Sequence, residues 1–198
     1  MPIYHNESGF LRLYKEAWKI AVFILLYNSF TAQAQIEELT LKALFLEAAI
    51  RFINWPDSKD GTNLLEDTFV VGVFAHDRML PCLEKVFFKK RVKNKEIRFL
   101  KIDSFDQISK CSMIIIPSSK KGSIDKIINI TSKNPVLTVS DSPELITKGV
   151  MLSLGIEKSR ITCYINESEA SKAGFKISHH LLQKSKVISS NQEKKYEN

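Results

Sequence analysis

Ser112-Met-Ile-Ile-Ile116, followed directly by Pro117, is a continuous apolar run of strand length. Two further runs have the same character: Phe69-Val-Val-Gly-Val-Phe74 and Pro135-Val-Leu-Thr-Val139. Strands without polar alternation are typical of a parallel sheet covered on both faces, because both sets of side chains are then buried. Segments with helical periodicity separate these runs, so the sequence predicts an α/β fold.

The rest of the chain extends this pattern. Residues 37–54 and 78–90 predict helices from the spacing of their apolar residues. Near the carboxyl end, residues 150–154 and 160–165 alternate around a turn and predict an antiparallel hairpin. We therefore expect a single α/β domain, with a mostly parallel sheet flanked by helices and a C-terminal antiparallel hairpin.

The first residues have the three-part layout of a secretory signal peptide. Lys15 and Lys19 precede an apolar run over residues 20–26, which is shorter than the roughly 20 residues that span a bilayer. Thr31-Ala-Gln-Ala-Gln35 then supplies small residues at the recognition positions, so we expect cleavage after Ala34. An uncleaved signal anchor is the alternative.

We expect the protein that remains after cleavage to be exported into a periplasm. The sequence divides into three segments. They are a signal peptide over residues 1–34, an α/β domain over residues 35–188 and a polar tail over residues 189–198. We expect this polar tail to be frayed.

Composition argues against several classes of enzyme. The chain has 198 residues, of which 44% are hydrophobic and only 7 are glycines. It contains no G-x-G-x-x-G, G-x-x-x-x-G-K-[ST] or G-x-S-x-G motif, so nucleotide-binding loops and a hydrolase elbow are not expected. His179 and His180 are adjacent and diverge by about 100° on a helix, which is wrong for two ligands of one metal. We predict no enzyme activity, no cofactor and no metal site.

A basic segment between Lys85 and Lys101 is the strongest charge feature. The chain carries 29 lysines and arginines against 22 acidic residues, a net charge of +7. Near the start of the segment, Phe88 falls opposite the apolar face of its predicted helix. Export argues against nucleic acid, whereas an acidic protein partner or an anionic lipid surface fits. A solvated helix and strand edge is the alternative.

The predicted helix over residues 37–54 carries a wide apolar arc. One stripe at helical spacing holds Leu41, Phe45, Ala48, Phe52 and Trp55, and a second set beside it holds Leu46, Ala49, Ile50 and Ile53. One interpretation is a helix with core on both sides. The other is a homodimer or partner surface, because exposed apolar patches mark interaction sites. With the basic segment, the candidate partner-binding residues are Phe45, Phe52, Trp55, Phe88, Lys89, Lys90 and Arg91.

Polar residues follow two predicted strands at their carboxyl ends, where open α/β sheets bind ligands. His76 and Asp77 come after the first strand, and Asp141 comes after a later one. These three residues are candidates for lining a ligand crevice. The alternatives are a polar turn at His76 and Asp77, and a cap by Asp141 for a short helix that begins at Pro143.

Three cysteines follow the predicted cleavage site: Cys82, Cys111 and Cys163. An oxidising compartment permits one disulfide. A Cys82–Cys111 bond is compatible with a helix packed beside a strand, and it would stabilise the fold by roughly 3–4 kcal/mol in the loop-entropy description. Two separate buried thiols are the alternative.

The order of these segments resembles the YfiR-like family of periplasmic proteins. The matching segments are Leu41–Phe45 with Arg51–Pro56, Phe69–Phe74, Arg91–Ile97, Cys111–Ser118, Leu137–Asp141, Gly149–Leu152 and Ile165–Leu182. Cys111 matches a cysteine position of the family, while Asn94 stands where a glycine is usual and Cys163 where an aromatic residue is usual. A late cysteine pair of some members is missing, which argues against redox control.

The resemblance implies a small, non-enzymatic α/β domain. Family members bind the periplasmic part of a membrane-bound diguanylate cyclase, the enzyme that makes cyclic di-GMP, and repress it. We therefore expect a periplasmic regulatory protein that binds and represses a membrane signalling protein, either such a cyclase or a sensor kinase. The alternative is a periplasmic small-ligand-binding module that uses the crevice at the strand ends.

Overall fold

A computed structural model describes residues 17–19, 22–23, 35–56, 68–74 and 77–188. The chain divides into two compact units, Met1–Leu39 and Thr40–Asn198. In the first unit, the described residues are helical. The predicted signal peptide lies almost entirely outside the described residues, and the predicted polar tail lies wholly outside them. Among the residues described, no helix combines the length and apolar character needed to cross a membrane.

The first long helix, α1, covers residues 35–49 and is shorter than the sequence predicts. It ends in a 3₁₀ turn, Ile50–Phe52, and the chain then becomes the two-residue strand β1, Ile53–Asn54. The change occurs because Ile53 adopts an extended conformation and pairs antiparallel with Ile177 of β9, Lys176–Ile177. Helical periodicity therefore continues in the sequence beyond the point at which strand pairing ends the helix.

An eight-stranded sheet forms the body of the second unit. Its order is β10-β8-β7-β6-β5-β2-β4-β3. The strands are β2 Thr68–Phe74, β3 Arg91–Val92, β4 Lys95–Ile102, β5 Met113–Ile116, β6 Leu137–Ser140, β7 Leu152–Glu157, β8 Arg160–Asn166 and β10 Lys186–Ile188. Of the strand pairs that the structure describes in this sheet, β3–β4 and β7–β8 are antiparallel and the others are parallel. The mixed, mostly parallel α/β fold and the late hairpin, β7–β8, are thus confirmed.

Helices cover both faces of this sheet. They are α2 Leu80–Phe87, α3 Ile124–Thr131, α4 Glu167–Lys172 and α5 His179–Gln183. On one face, Val70 of β2 belongs to a buried cluster with Ile127 of α3. On the other face, the Phe87 ring of α2 meets the Phe99 ring of β4 edge-on, with centroids 6.2 Å apart. Because strand side chains alternate, α2 and α3 lie on opposite faces.

A tight turn joins β3 to β4. Lys93 and Asn94 both have positive φ, 51° and 64°, as a two-residue type I′ turn requires. Asparagine tolerates this left-handed conformation better than most residues. The turn therefore explains why Asn94 can replace the glycine that is usual at this position.

The Cys82–Cys111 disulfide that the sequence permits is not formed. All three thiols are free and buried. Cys111 belongs to the buried cluster on the α3 face, where a Cβ added to Gly72 would lie 2.6 Å from its Sγ. Cys82 lies in α2, on the opposite face, and its Sγ accepts a hydrogen bond from the Thr40 hydroxyl at 3.6 Å. The sheet separates the two sulfurs, and burial raises the pKa of Cys111 to about 12.

Candidate partner-binding surface

One side of α1 and its 3₁₀ turn is an exposed apolar face. Leu41 is 53% exposed, Leu44 46% and Phe52 41%. The opposite side is the core side, since Leu46 and Ile50 are completely buried. The apolar set Leu46, Ala49, Ile50 and Ile53 therefore faces the core. The stripe that begins at Leu41 and includes Phe52 is mainly exposed.

Phe45 lies between these two sides of α1 and is half-buried. Large exposed apolar side chains at helical spacing are uncommon on a helix that has no partner. Nothing in the sequence distinguishes Leu44 from its buried neighbours, because the whole arc is apolar. The exposed face therefore becomes visible only in the structure.

Glu47 connects α1 to the basic segment. Its carboxylate pairs with Arg51 of the following 3₁₀ turn and with the Lys90 ammonium at 3.3 Å. Burial acts to raise the pKa of Glu47, but hydrogen bonds from Arg51 and Lys90 outweigh it and hold the pKa below its ordinary value. Glu47 therefore remains charged at neutral pH and keeps Lys90 beside the helix.

Lys93 makes a second connection, between the β3–β4 turn and the segment that directly follows α1. Its ammonium donates to the Arg51 carbonyl at 3.3 Å and to the Asn54 side-chain oxygen at 3.0 Å. The apolar face of α1 and the basic segment are consequently neighbours on one surface. We call this the α1–hairpin surface, after α1 and the β3–β4 hairpin. Its members are Leu41, Leu44, Phe52, Phe88, Lys89, Lys90 and Arg91.

Phe88 and Lys89 project at the end of α2. Phe88 is 70% exposed, and the Lys89 ammonium lies 5.2 Å from the centre of its ring, within the range of a cation–π contact. Lys89 has a positive φ of 56°, which reverses the chain toward β3. An open groove of about 500 Å³ lies beside them. It is lined by Glu84, Phe87, Phe88, Lys89, Lys90, Arg91, Glu96, Ile97 and Phe99.

Trp55, a predicted partner-binding residue, is instead held within the fold. Its indole N–H donates to the Ser112 carbonyl at 2.9 Å. Its ring packs edge-to-face against Phe69 at 5.1 Å and Phe175 at 5.7 Å. We therefore assign Trp55 to joining β1 to the sheet and leave it out of the α1–hairpin surface.

Of the three residues predicted to line a ligand crevice, Asp77 and Asp141 lie close enough for the charge of Asp141 to act on Asp77, while His76 lies outside the described residues. The Met79 amide donates to the Asp77 carboxylate at 2.8 Å. Asp141 does not cap the following 3₁₀ helix, whose N-cap is Ser142. Lys42 of α1 is only 5% exposed, and its ammonium donates to the Asp141 carbonyl at 3.2 Å. A side chain of α1 thus reaches the backbone just after β6, where Asp141 lies.

Burial raises the pKa of Asp77, and the negative charge of Asp141 contributes to the rise, while the Met79 N–H opposes it. A raised folded-state pKa stabilises the fold below the unfolded pKa, and this stabilisation is lost as pH rises through the folded pKa. We expect Asp77→Asn, which keeps an oxygen for Met79, to be more stable than the wild type at neutral pH. Its advantage should shrink in acid. Urea denaturation of both proteins at neutral and at acidic pH measures this difference in the free energy of unfolding. A difference that is the same at the two pH values would contradict the prediction.

Within the described ranges, no group of three His, Cys, Asp or Glu residues could hold a metal ion. The His180 ring lies 5.3 Å from the Phe52 ring, so this histidine borders the α1–hairpin surface. His179 begins α5, and the Ser178 hydroxyl caps that helix.

Solved structures share limited similarity with the chain. A conserved domain protein from Vibrio cholerae O1 biovar eltor has 12% identity and a TM-score of 0.48, with 61% of this chain and 54% of that chain covered. An ABC domain from Streptococcus pneumoniae in complex with L-Trp has 12% identity and a TM-score of 0.48, with 61% and 56% covered. A substrate binding protein with adhesive properties from Clostridium difficile has 11% identity and a TM-score of 0.45, with 62% and 54% covered. The chain thus spans little more than half the length of each.

Comparison at the sequence level identifies the family. No curated protein matches the chain significantly. The family model described as YfiR/HmsC-like matches residues 39–186, most of the chain, and confirms the resemblance seen in the sequence. The protein therefore belongs to the YfiR/HmsC-like family, a family of periplasmic regulators that is not known to be enzymatic and whose members interact with membrane signalling proteins.

Proposed function

We propose that this protein, after export and removal of residues 1–34, binds the periplasmic part of a membrane signalling protein and represses it. The partner we favour is a diguanylate cyclase, since this is the partner that the family resemblance implies. The observation that carries the proposal is the α1–hairpin surface, where an exposed apolar helix face adjoins an exposed aromatic and basic cluster.

The residue types on this surface suit protein recognition. Aromatic and arginine side chains supply much of the binding energy at protein interfaces. Phe88 and Phe52 provide aromatic area, and Leu44 adds aliphatic area. The adjacent lysines and Arg91 would steer an acidic partner toward this surface. The proposed partner therefore presents an apolar patch that is bordered by carboxylates.

Repression without catalysis requires preferential binding. A protein that binds the inactive conformation of a sensor more tightly than the active one shifts the population toward the inactive state. A shift from mostly active to mostly inactive needs an affinity difference of about 10⁴-fold. The exposed apolar side chains of the α1–hairpin surface would contribute to such a difference, because apolar contacts are lost when the partner changes shape.

We expect the double variant Phe88→Ser/Lys89→Glu to lose repression while it stays folded. Both side chains project into solvent, so their replacement should change the free energy of unfolding by less than about 0.5 kcal/mol. A strain that lacks the chromosomal gene is complemented with each form, and intracellular cyclic di-GMP is measured. The wild type should hold it low, and the double variant should not.

Lys133→Glu is the matched control. Lys133 is exposed and follows α3, on the opposite face of the sheet. It changes charge by the same amount as Lys89→Glu and should repress like the wild type. Immunoblots of periplasmic extracts verify equal amounts of each form. Full repression by the double variant would contradict the assignment of this surface.

A further inference from the structure

Among the residues that the structure describes, strand β4 is paired along most of its length on one edge but at only two residues on the other. On one side β2 pairs with it from Glu96 to Ile102. On the other side β3 pairs only with Lys95 and Glu96. Along residues 97–102, the described part of the chain places no strand on that side. A long open edge is a site at which another chain can add a strand.

The turn geometry shows which backbone groups face this edge. In a two-residue hairpin, the residues that flank the turn form a hydrogen-bonded pair, here Val92 and Lys95. The N–H and C=O groups of successive residues point to alternate sides of a strand. Those of Ile97, Phe99 and Lys101 therefore point away from β2, as those of Lys95 do. These three residues offer the backbone groups that an incoming strand would use.

Each face of the sheet has a groove at this edge. The groove of about 500 Å³ lies on the α2 face and includes Ile97 and Phe99 of β4. A second groove, of about 200 Å³, is lined by Val70, Arg98, Leu100, Gln107 and Lys110. The β4 residues of the two grooves alternate along the strand. An added strand would therefore direct successive side chains into one groove and then the other.

The positive charge around this edge favours an acidic binding partner over a basic one. Both grooves are lined by positively charged side chains, and β4 carries a further one. They are Lys89, Lys90 and Arg91 in the larger groove, Arg98 and Lys110 in the smaller groove, and Lys101 on β4. The acidic residues there are Glu84 and Glu96, and Glu96 is paired with Arg91 at 3.5 Å. Pairing with a second copy of this edge would bring like charges together, which is unfavourable. An acidic segment would gain from the same charges.

We propose that the open edge of β4 binds an extended acidic segment of the partner protein as an additional β-strand. The proposal rests on the proposed function for the identity of the partner as a membrane signalling protein. The mode of binding rests on the open edge, the two grooves and their charge. Main-chain hydrogen bonds supply affinity in this mode, and the grooves supply specificity.

Amide hydrogen exchange tests the mode directly on the wild-type protein. The probe is an eight-residue peptide in which glutamate alternates with valine, with both ends blocked. In the free protein, the amides of Ile97, Phe99 and Lys101 should exchange rapidly, while those of Arg98 and Leu100, which face β2, should be protected. Excess peptide should slow the three exposed amides by at least roughly tenfold. A peptide with lysine in place of glutamate should not.

Lys101→Pro and its matched control, Lys101→Ala, isolate the backbone contribution. Both remove the charged side chain, but only proline removes the N–H. Proline is tolerated at an edge where that N–H faces solvent. We expect Lys101→Pro to bind the glutamate peptide at least roughly tenfold more weakly than Lys101→Ala, since a recognition hydrogen bond and the strand geometry are lost. Thermal unfolding of both variants verifies that they fold.

Several results would overturn the proposal: no protection of the three amides by the peptide, equal protection by the lysine peptide, or equal affinity of the two folded variants. Protection in the protein alone at high concentration would assign the edge to self-association and would also overturn it. If the proposal fails while Phe88→Ser/Lys89→Glu still abolishes repression, the proposed function stands without strand addition. If that double variant represses normally, the proposed function fails independently.

Discussion

Trp55→Ala is expected to reduce the free energy of unfolding by about 3–5 kcal/mol, the largest effect among the exposed and half-buried positions considered. The substitution removes the hydrogen bond from the indole to the Ser112 carbonyl. It also removes the edge-to-face contacts with Phe69 and Phe175, which join β2 to the loop after α4. Such a loss is a large part of the stability of an ordinary domain.

Two further variants distinguish the packing of the Trp55 ring from its hydrogen bond, and the stability of the fold from partner binding. Trp55→Phe keeps an aromatic ring and loses the N–H, so we expect a cost of about 1 kcal/mol. Phe88→Ala removes an exposed ring and should leave stability nearly unchanged. Urea denaturation monitored by circular dichroism measures all three. A stable Trp55→Ala protein that fails only in partner binding would show that the structural assignment of Trp55 is incorrect.

Leu46→Ala and Leu44→Ala should have opposite consequences although they lie two residues apart on α1. Leu46 is completely buried, so its truncation leaves a cavity and should cost about 2–5 kcal/mol. Leu44 is exposed, and its truncation should change stability by less than about 0.5 kcal/mol. Only Leu44→Ala should therefore weaken partner binding in a protein of normal stability.

Denaturation curves and cyclic di-GMP levels in complemented strains provide both readouts for this pair. Leu46→Ala is interpreted only through its stability, because loss of folded protein also removes repression. The assignment of the two faces of α1 would be reversed if Leu44→Ala were the destabilised form. Normal repression by a stable Leu44→Ala protein would instead remove Leu44 from the α1–hairpin surface.

The sheet was largely predictable from the sequence. The apolar runs over residues 69–74 and 112–116 correspond to the central strands β2 and β5. A strand buried on both faces has no polar positions, so composition alone distinguishes it from its surroundings. The β7–β8 hairpin was predictable for a different reason, since its two segments alternate around a turn.

The end of α1 and its orientation were not predictable from local pattern. Ile53 fits helical periodicity, but its pairing with Ile177 across more than half the chain makes it extended. An apolar arc that exceeds half of the helix circumference does not indicate which side the sheet will cover. Packing against the sheet decides this, and it buries Leu46 while exposing Leu44.

The candidate site was predictable only in part. The exposure of Phe88 followed from its place opposite the apolar face of α2, and the structure agrees. The open edge of β4 depends on how short β3 is, which local sequence does not reveal. The separation of Cys82 from Cys111 likewise depends on which face of the sheet each segment covers. These are tertiary facts with no local signature.

The most direct test of the account is site-specific photocrosslinking in living cells. A photoreactive amino acid is placed at Leu44 or Phe88, with Lys133 on the opposite face as the control, and captured proteins are identified by mass spectrometry. We expect positions 44 and 88 to capture a membrane protein that carries a cyclase or kinase domain, and position 133 to capture none. Capture of that protein only from position 133, or capture of nothing but a second copy of this chain at all three, would contradict the account.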